Sequence, residues 1–151
     1  MTAAISFSAS PTDALRTAGT LILLSRMIET DLRRDDPGDG LGLPEIGVLG
    51  QIARGVAMPS GVARALHIDP GRVTRITDRL VLLGLLERED DPEDRRRCLL
   101  RLTSSGCTRM MQARADVAES MERILEGLSE EERLGLTVGL EAARRIVESR
   151  E

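Results

Sequence analysis

The chain has 151 residues, 41% of them hydrophobic and 30% charged, with a formal net charge of −4 at pH 7. These fractions exclude a disordered tail, and the longest apolar run, Leu80–Leu86, is far short of the roughly 20 residues of a membrane span. One Phe, no Trp and no Tyr argue against stacking of single-stranded bases on aromatic rings. Because the N-terminal stretch lacks a basic cluster followed by an apolar segment, we expect a cytoplasmic protein with no membrane partner.

Two helices are predicted for the N-terminal third. The cap signal Pro11-Thr12-Asp13 and apolar residues at spacings of three and four predict an amphipathic helix over about residues 12–34. A run rich in Gly, Pro and Asp, residues 35–42, ends it. Pro44 in a first-turn position and Gly55 as the C-cap bound a second helix. Its apolar stripe comprises Ile46, Leu49, Ile52 and Ala53.

A short helix, a tight turn and a longer helix follow. Ser60 opens the short helix, which runs to about Leu66. Asp69 and Pro70 supply a cap and a first turn for the longer helix. Two helices joined in this way form a helix-turn-helix, whose second member is the recognition helix. We expect this helix to end near Leu83 and to bury Val73, Ile76, Leu80 and Leu83.

The period of the apolar pattern then changes. Leu85–Arg88 and Arg97–Leu102 are predicted strands, and the polar residues 89–96 join them as a hairpin that makes the helix-turn-helix a winged one. A long helix is predicted over residues 103–126, and the capping-box sequence Ser129–Glu132 opens a last helix. The fold class is therefore mainly α (α+β), a winged helix-turn-helix with long terminal helices. Their apolar stripes contain Cys107, Met110 and Met111 in the long helix, and Leu136, Leu140, Ala143 and Val147 in the last one.

The exposed face of the predicted recognition helix is the most informative feature. It carries Gly71, Arg72, Thr74, Arg75, Asp78 and Arg79. Arg forks onto guanine, Thr donates, accepts or contacts a thymine methyl, and the N-terminal part of a recognition helix reaches base edges in the major groove. The alternative is an ordinary solvated helix face. Residues 60–102 carry nine Arg and eight acidic residues, so the middle third is weakly positive on an acidic chain.

The hairpin tip and the terminal helices favour the DNA interpretation. Asp94 precedes three Arg residues, and one Arg of a wing enters the minor groove, whose negative potential attracts it, while Asp94 holds that Arg in an ion pair. The terminal helices carry more apolar surface than a winged helix covers, which predicts a second copy as partner. A two-fold dimer places two recognition helices about 34 Å apart, one turn of DNA.

The central block resembles a known family. Val73–Gly106 closely resembles the recognition helix, wing and following helix start of the MarR family of winged helix-turn-helix transcriptional regulators. Leu43–Gly55 is similar to that family's second helix and Leu128–Ile146 to its last, so the resemblance covers about residues 10–148. It implies a homodimer, usually a repressor, that binds pseudo-palindromic operators in double-stranded DNA. It also implies an effector, often a small lipophilic molecule or an oxidant.

The resemblance also implies a division of labour within one domain, residues 10–148. The DNA-binding lobe spans about residues 43–103, and the dimerisation helices span about residues 12–34 and 103–148. The wing aspartate and arginine of the family correspond to Asp94 and Arg96. The recognition-helix positions correspond to Gly71, Arg72, Thr74, Arg75 and Arg79.

These correspondences give each residue an expected role. Bases are read by Arg72, Thr74 and Arg75, phosphates are contacted by Ser60 and Arg79, and the minor groove is reached by Arg96 next to Arg95. The short helix departs from the family pattern, because Gly61 and Val62 stand where an acidic residue and a Leu are usual. We expect this difference to loosen that helix without removing it.

The remaining candidate sites each allow two interpretations. Met27, Met110 and Met111 line an effector pocket or belong to the core. Cys98 and Cys107 are small buried hydrophobic residues, or Cys98 is an oxidation switch. One His and two Cys are too few typical ligands to indicate a metal site. The sequence also contains no recognisable arrangement of catalytic residues and no cofactor motif. The alternative function is a protein-interaction module whose arginine face binds an acidic partner.

Overall fold

A computed structural model describes residues 10–34, 36, 38–92, 94 and 97–149. Over these residues the chain forms six helices and one two-stranded antiparallel sheet. In chain order the elements are α1 (Pro11–Arg34), α2 (Leu43–Ala53), α3 (Pro59–Leu66), α4 (Pro70–Leu82), β1 (Leu86–Asp90), β2 (Cys98–Leu102), α5 (Ser104–Leu125) and α6 (Glu130–Glu148). The predicted order and the predicted winged helix-turn-helix are confirmed.

Polar side chains define the starts of three helices. Asp69 accepts a hydrogen bond from a first-turn amide of α4. Thr103 accepts one from the Gly106 amide at 2.9 Å and opens α5. Ser129 and Glu132 form the predicted capping box of α6. Such caps stabilise a helix by about 1 kcal/mol each, so the local sequence determines these boundaries.

The first strand of the hairpin reaches further along the chain than predicted. β1 and β2 pair from Leu86 with Leu102 to Asp90 with Cys98. β1 therefore extends by Glu89 and Asp90 into the part of the chain that we assigned to the loop, whereas β2 begins at Cys98, one residue later than predicted. An ion pair between Glu89 and Arg101 joins the two strands within this extension, and opposite charges across a strand pair stabilise it.

The core lies between α2, α3, α4, the hairpin and the start of α5. Its largest fully buried apolar residues are Val48, Leu49, Val62, Val73, Leu80, Leu86 and Leu100. The predicted stripes of α2 and α4 are confirmed except at their last residues. Ala53 and Leu83 are exposed, because α2 and α4 end there and the chain turns away from the core.

A glycine sets how closely α5 approaches the hairpin. A Cβ atom on Gly106 would lie 1.9 Å from the carbonyl oxygen of Leu85. No side chain fits at this distance, so the glycine is required for the contact between the first turn of α5 and the chain that enters β1.

The terminal helices contribute little to the core of one chain. In α1 only Leu32 is buried, and α6 contains no buried residue. The predicted burial of Leu136, Leu140, Ala143 and Val147 is therefore wrong for a single chain, because α6 makes few contacts with the other elements. None of the described helices is long and apolar enough to cross a membrane.

The apolar stripe of α5 is narrower than predicted. Met110 and Ala113 are buried where α1 and α2 pack against this helix. Cys107 and Met111, which we expected in the same stripe, are exposed. The expectation was wrong because α1 and α2 cover only one face of α5.

Two clusters of charged side chains join α5 to the N-terminal part of the chain. Arg109 binds Asp39 through two hydrogen bonds, 2.6 Å from Nε to Oδ2 and 3.0 Å from Nη2 to Oδ1. Asp31 of α1 accepts hydrogen bonds from the Ser120 hydroxyl at 2.7 Å and from Arg123 at 2.9 Å. The Arg109 guanidinium lowers the pKa of Asp39, and the Ser120 hydroxyl, followed by Arg123, lowers the pKa of Asp31.

These two aspartates should make the fold sensitive to acid. A carboxylate with a lowered pKa stabilises the folded state above its unfolded pKa, here 3.8, and this contribution is lost as the pH falls through the folded pKa. We expect the melting temperature to fall more steeply below about pH 4 in the natural chain than in the double variant Asp31→Asn, Asp39→Asn. Thermal unfolding followed by circular dichroism between neutral and acidic pH measures the difference, and parallel curves would contradict the assignment.

Candidate nucleic-acid interface

Helix α4 has one buried and one exposed face. Val73, Ile76 and Leu80 point into the core. The residues exposed on the other side include Gly71, Arg72, Thr74, Arg75 and Asp78. The period of 3.6 residues per turn places this polar set opposite the apolar one. The predicted exposure of these five residues is confirmed, and their roles in DNA binding stay predictions.

The N-terminal half of α4 presents unengaged donors. Within the part of the chain that the structure describes, Arg72 and Arg75 form no ion pair and no side-chain hydrogen bond. The Thr74 hydroxyl donates to a carbonyl one turn earlier at 3.1 Å and keeps its oxygen free to accept. A Cβ on Gly71 would lie 3.0 Å from the capping carboxylate of Asp69. The glycine therefore leaves the cap undisturbed and the helix start open to a ligand.

Arg79 lies one turn beyond Arg75 but is engaged within the chain. Its Nη2 donates to the carbonyl oxygens of Asp39 and Gly40, and its Nη1 lies 3.3 Å from Oε1 of Glu45. The structure thus separates Arg79 from the unengaged arginines of the same helix. Its contact with phosphate stays a prediction, and any such contact would have to share a guanidinium that already has three acceptors.

The pattern of the sequence did not single out Asp39, Glu45 or Arg109. Asp39 lies 40 residues from Arg79 and 70 residues from Arg109. The local signal was the high content of Asp and Gly between α1 and α2, which predicted a loop and nothing more. No periodicity links residues this far apart, so these contacts are visible only in the folded chain.

The first turn of α3 carries the second predicted contact. Ser60 is exposed there, and the N-cap residue, Met58, supplies no side-chain acceptor for the helix amides. The start of α3 is therefore open toward a negatively charged group. Gly61 is buried, and a Cβ on it would lie 3.0 Å from Cγ1 of Val56. The glycine that we expected to loosen α3 instead permits its close packing.

Ion pairs offset much of the acidity near the hairpin. Arg88 of β1 pairs with Asp78 of α4, and Arg101 of β2 pairs with Glu89 of β1. The first pair also joins the hairpin to the recognition helix. Two acidic residues that would repel phosphate, Asp78 and Glu89, are thereby paired within the chain.

The tip of the hairpin closes around Asp94. Its carboxylate lies 3.2 Å from Nε of Arg97, and the Arg97 amide donates to the Asp94 carbonyl at 2.8 Å. Asp94 thus pairs with Arg97, whereas the predicted pair was with the arginine assigned to the minor groove, Arg96. Arg95 and Arg96 lie outside the described residues, and their approach to a minor groove stays a prediction.

The methionines that we assigned to an effector pocket lie in different environments. Met110 is buried in the core, whereas Met27 and Met111 are exposed by 46% and 69%. A separate, mainly apolar groove of about 370 Å³ lies between α2 and α5. It is lined by Leu43, Ile46, Gly47, Arg114, Val117, Ala118 and Met121.

Both cysteines are free thiols. Cys98 is half-buried on β2 and Cys107 is exposed on α5, so the prediction of a buried residue is wrong for Cys107. Among the described residues, no group of three or more His, Cys, Asp and Glu side chains suits a metal ion.

The sequence of the central segment matches known regulators. Residues 39–97 match the MarR family. The multiple antibiotic resistance protein MarR of Escherichia coli is 34% identical over 67 residues, 44% of this chain and 46% of that protein. The uncharacterised HTH-type transcriptional regulator YdgJ of Bacillus subtilis is 34% identical over 74 residues, 49% of this chain and 45% of that protein. The chain spans about half the length of the curated relatives it matches.

The fold is shared over most of the chain. A crystal structure of MarR, 25% identical, superposes with a TM-score of 0.73 over 89% of this chain and 96% of that one. A MarR transcriptional regulator from Methanosarcina mazei, 19% identical, superposes with a TM-score of 0.77 over 94% of this chain and 100% of that one. The PcaV regulator of Streptomyces coelicolor, solved with its natural ligand, is 22% identical. It superposes with a TM-score of 0.69 over 99% of this chain and 100% of that one. Residues 39–97, which contain the helix-turn-helix and the first strand of the wing, therefore match the MarR family, and most of the chain shares the fold of these MarR structures.

Proposed function

We propose that the protein is a homodimeric transcription regulator that binds a specific sequence in double-stranded DNA. The observation that carries the proposal is the exposed face of α4. Arg72, Thr74 and Arg75 are accessible on a helix whose opposite face is buried in the core. A helix that enters the major groove requires this arrangement, with side chains that match base edges at its N-terminal half.

The rest of the lobe, about residues 43–103, supplies contacts that position α4. Ser60 and the open first turn of α3 suit a phosphate oxygen. Arg96, next to Arg95 in the sequence, is the proposed contact of the wing with the minor groove beside the same site. Arg79 adds electrostatic attraction from the C-terminal half of α4. Together these contacts fix the register of the recognition helix, while the bases determine the sequence preference.

A second copy of the chain is the proposed partner of the terminal helices. α1 exposes Leu15, Leu21, Ile22 and Leu23, and α6 exposes Leu134, Val138, Leu140, Ile146 and Val147. An open groove of about 540 Å³ between α1 and α6 is lined by residues of both helices, among them Leu21, Leu24, Leu136 and Leu140. Apolar surface of this extent is rare on monomeric proteins. Two-fold pairing through residues 12–34 and 103–148 covers it on both copies.

We further propose that the protein represses a pseudo-palindromic operator and that a small lipophilic effector releases it. The structure of PcaV with its natural ligand supports an effector for a protein of this fold. In this chain the groove between α2 and α5 suits an apolar molecule better than a pocket of Met27, Met110 and Met111. Met121 contributes an adaptable thioether to this groove.

Selection of the preferred duplex from a random DNA pool tests the proposal. We expect enrichment of a pseudo-palindrome whose half-sites are centred about one helical turn, roughly 10 base pairs, apart. The spacing reports the dimer and the enriched bases report the face of α4. If no sequence is enriched at low salt, the protein is not a sequence-specific DNA-binding protein, and the protein-interaction module becomes the better interpretation.

Replacement of a base-reading arginine should reduce discrimination. We expect Arg75→Ala to lower the affinity for the selected duplex by about 1–3 kcal/mol, with a smaller loss on random DNA, because a bidentate contact to guanine is removed. Arg145→Ala removes the same charge from an exposed position of α6 and should change neither affinity. Fluorescence anisotropy on both duplexes at one salt concentration measures the ratio of the affinity for the selected duplex to the affinity for random DNA. Equal losses on both duplexes would show that Arg75 contacts phosphate rather than bases.

A further inference from the structure

We propose that Asp39 and Arg109 are positioning residues that set the orientation of α4 relative to α5 through Arg79. The proposal rests on the DNA binding proposed above, because α4 is the helix that reads bases there. It assigns a task to the segment between α1 and α2, residues 36 and 38–42, which we call the hinge loop.

The hinge loop has a defined conformation. The carboxylate of Asp36 accepts hydrogen bonds from the amides of Gly38, Asp39 and Gly40 at 2.9–3.1 Å. Leu41 follows and is almost completely buried in the core. A loop that is folded around one carboxylate and anchored by a buried leucine transmits a displacement instead of absorbing it.

Asp39 is bound on both sides, by α4 and by α5. Its carbonyl oxygen accepts from Arg79 of α4, and its carboxylate accepts two hydrogen bonds from Arg109 of α5. The two side chains of the latter pair are only 19% and 15% exposed. Solvent and salt therefore screen this pair less than a surface ion pair. One residue thus joins two helices that are distant from it in the sequence.

The link to Arg79 is sterically tight. A Cβ on Gly40, which has a φ of 61°, would lie 2.9 Å from Nη2 of Arg79. A side chain at this position would displace the guanidinium and strain the backbone, because the φ of Gly40 lies in the left-handed region. Besides the hinge loop, α4 packs on α2, α3 and β1. The hinge loop is the connection that reaches α5 through charged groups.

Because α4 is one continuous helix, movement of one end displaces the other end. Arg79 lies seven residues, or about 10 Å, from Arg72 along the helix axis. A tilt at the Arg79 end displaces Arg72 and Arg75 from base edges, and bidentate hydrogen bonds tolerate only small displacements. Loss of the Asp39–Arg109 pair should therefore impair base reading more than contact with phosphate.

The test compares Asp39→Asn, Arg109→Gln and the double variant in binding to the selected duplex and to random DNA. Asparagine keeps the size and the backbone carbonyl of Asp39 and removes its charge. We expect the specific affinity to fall about 3- to 30-fold in each single variant, with random DNA bound as before. The double variant should lose no more specific affinity than the single variant that binds the selected duplex less tightly, because both substitutions break the same contact. Additive losses, or an unchanged ratio of the two affinities, would overturn the proposal.

Asp31→Asn is the matched control. It breaks the other contact of an aspartate with α5, at Ser120 and Arg123, which does not involve the hinge loop. We expect it to leave the ratio of specific to random affinity unchanged. A fall in that ratio equal to the fall in Asp39→Asn would show that general loosening of α5 is responsible, and would also overturn the proposal.

Hydrogen exchange without DNA separates failure of this link from failure of the proposed function. The amides of α4 and of residues 38–42 should exchange faster in Asp39→Asn than in the natural chain or in Asp31→Asn. Unchanged exchange in α4 overturns the positioning role, whatever the DNA result. If the natural chain prefers no duplex and the exchange still rises, the link holds and the proposed function fails.

Discussion

An increase in salt from 50 to 200 mM should weaken binding to the selected duplex by about 10³- to 10⁵-fold, if the dimer contacts six to ten phosphates. Each neutralised phosphate releases condensed counterions, and added salt opposes that release. The chain as a whole is acidic, with a net charge of −4. The attraction must therefore come from the local surface formed by α4, the first turn of α3 and the wing.

Titration of the labelled duplex at several salt concentrations measures this effect as the slope of log affinity against log salt. The double variant Arg95→Ala, Arg96→Ala removes four arginines from the dimer and should flatten the slope by up to about 3.6 units, since each phosphate contact contributes about 0.9. Arg145→Ala on α6 should leave the slope unchanged. A complex that is insensitive to salt would contradict contact with the DNA backbone, and an unchanged slope in the wing variant would remove the wing from the interface.

Local signals were sufficient to predict the helix-turn-helix. Asp69 and Thr103 cap helices because their side chains accept from amides three residues later. The periodic burial of Val73, Ile76 and Leu80 then left the arginine face of α4 exposed. Each of these effects acts within one or two turns of helix, so a single sequence contains all the information that it requires.

The contacts that orient α4 could not be predicted in the same way. Arg79 was assigned to a phosphate contact from the family resemblance and from its place on the helix face opposite the buried residues. Its acceptors, Asp39, Gly40 and Glu45, come from a loop and a helix that only the tertiary fold brings near. The partner of Arg109, Asp39, could not be predicted either, because it lies 70 residues away in the sequence. Roles assigned from a helix face alone thus identify which side chains point outward, but not which of them are already engaged.

The terminal helices show the opposite limitation. Their apolar stripes at Leu140 and Val147 were predicted as buried, yet they are exposed in one chain. The apolar periodicity of a helix predicts that one face is buried, but it does not predict whether the same chain or a second chain buries it. If the cover is a second copy, the prediction of burial holds for the dimer, and the exposed residues of α1 and α6 become its interface.

Leu140→Glu should therefore dissociate the dimer and abolish tight binding of the full operator. Leu140 lines the groove between α1 and α6, and a buried, unpaired carboxylate there is strongly unfavourable. A monomer engages one half-site only, and loss of the linked second half-site should lower the affinity for the full operator by about 10²- to 10⁴-fold. Sedimentation equilibrium and anisotropy on full and half operators measure the two effects.

The structure supplies a control for this substitution. Leu82→Glu introduces the same charge at a position that is 88% exposed and outside the groove, so it should leave the dimer intact. Because α6 contributes no buried residue to the core, Leu140→Glu should also keep the helical content of the natural chain in circular dichroism. A Leu140→Glu protein that remains dimeric would show that the two copies meet elsewhere. A monomeric variant that binds the full operator as tightly as the natural chain would show that one recognition helix is sufficient for specific binding.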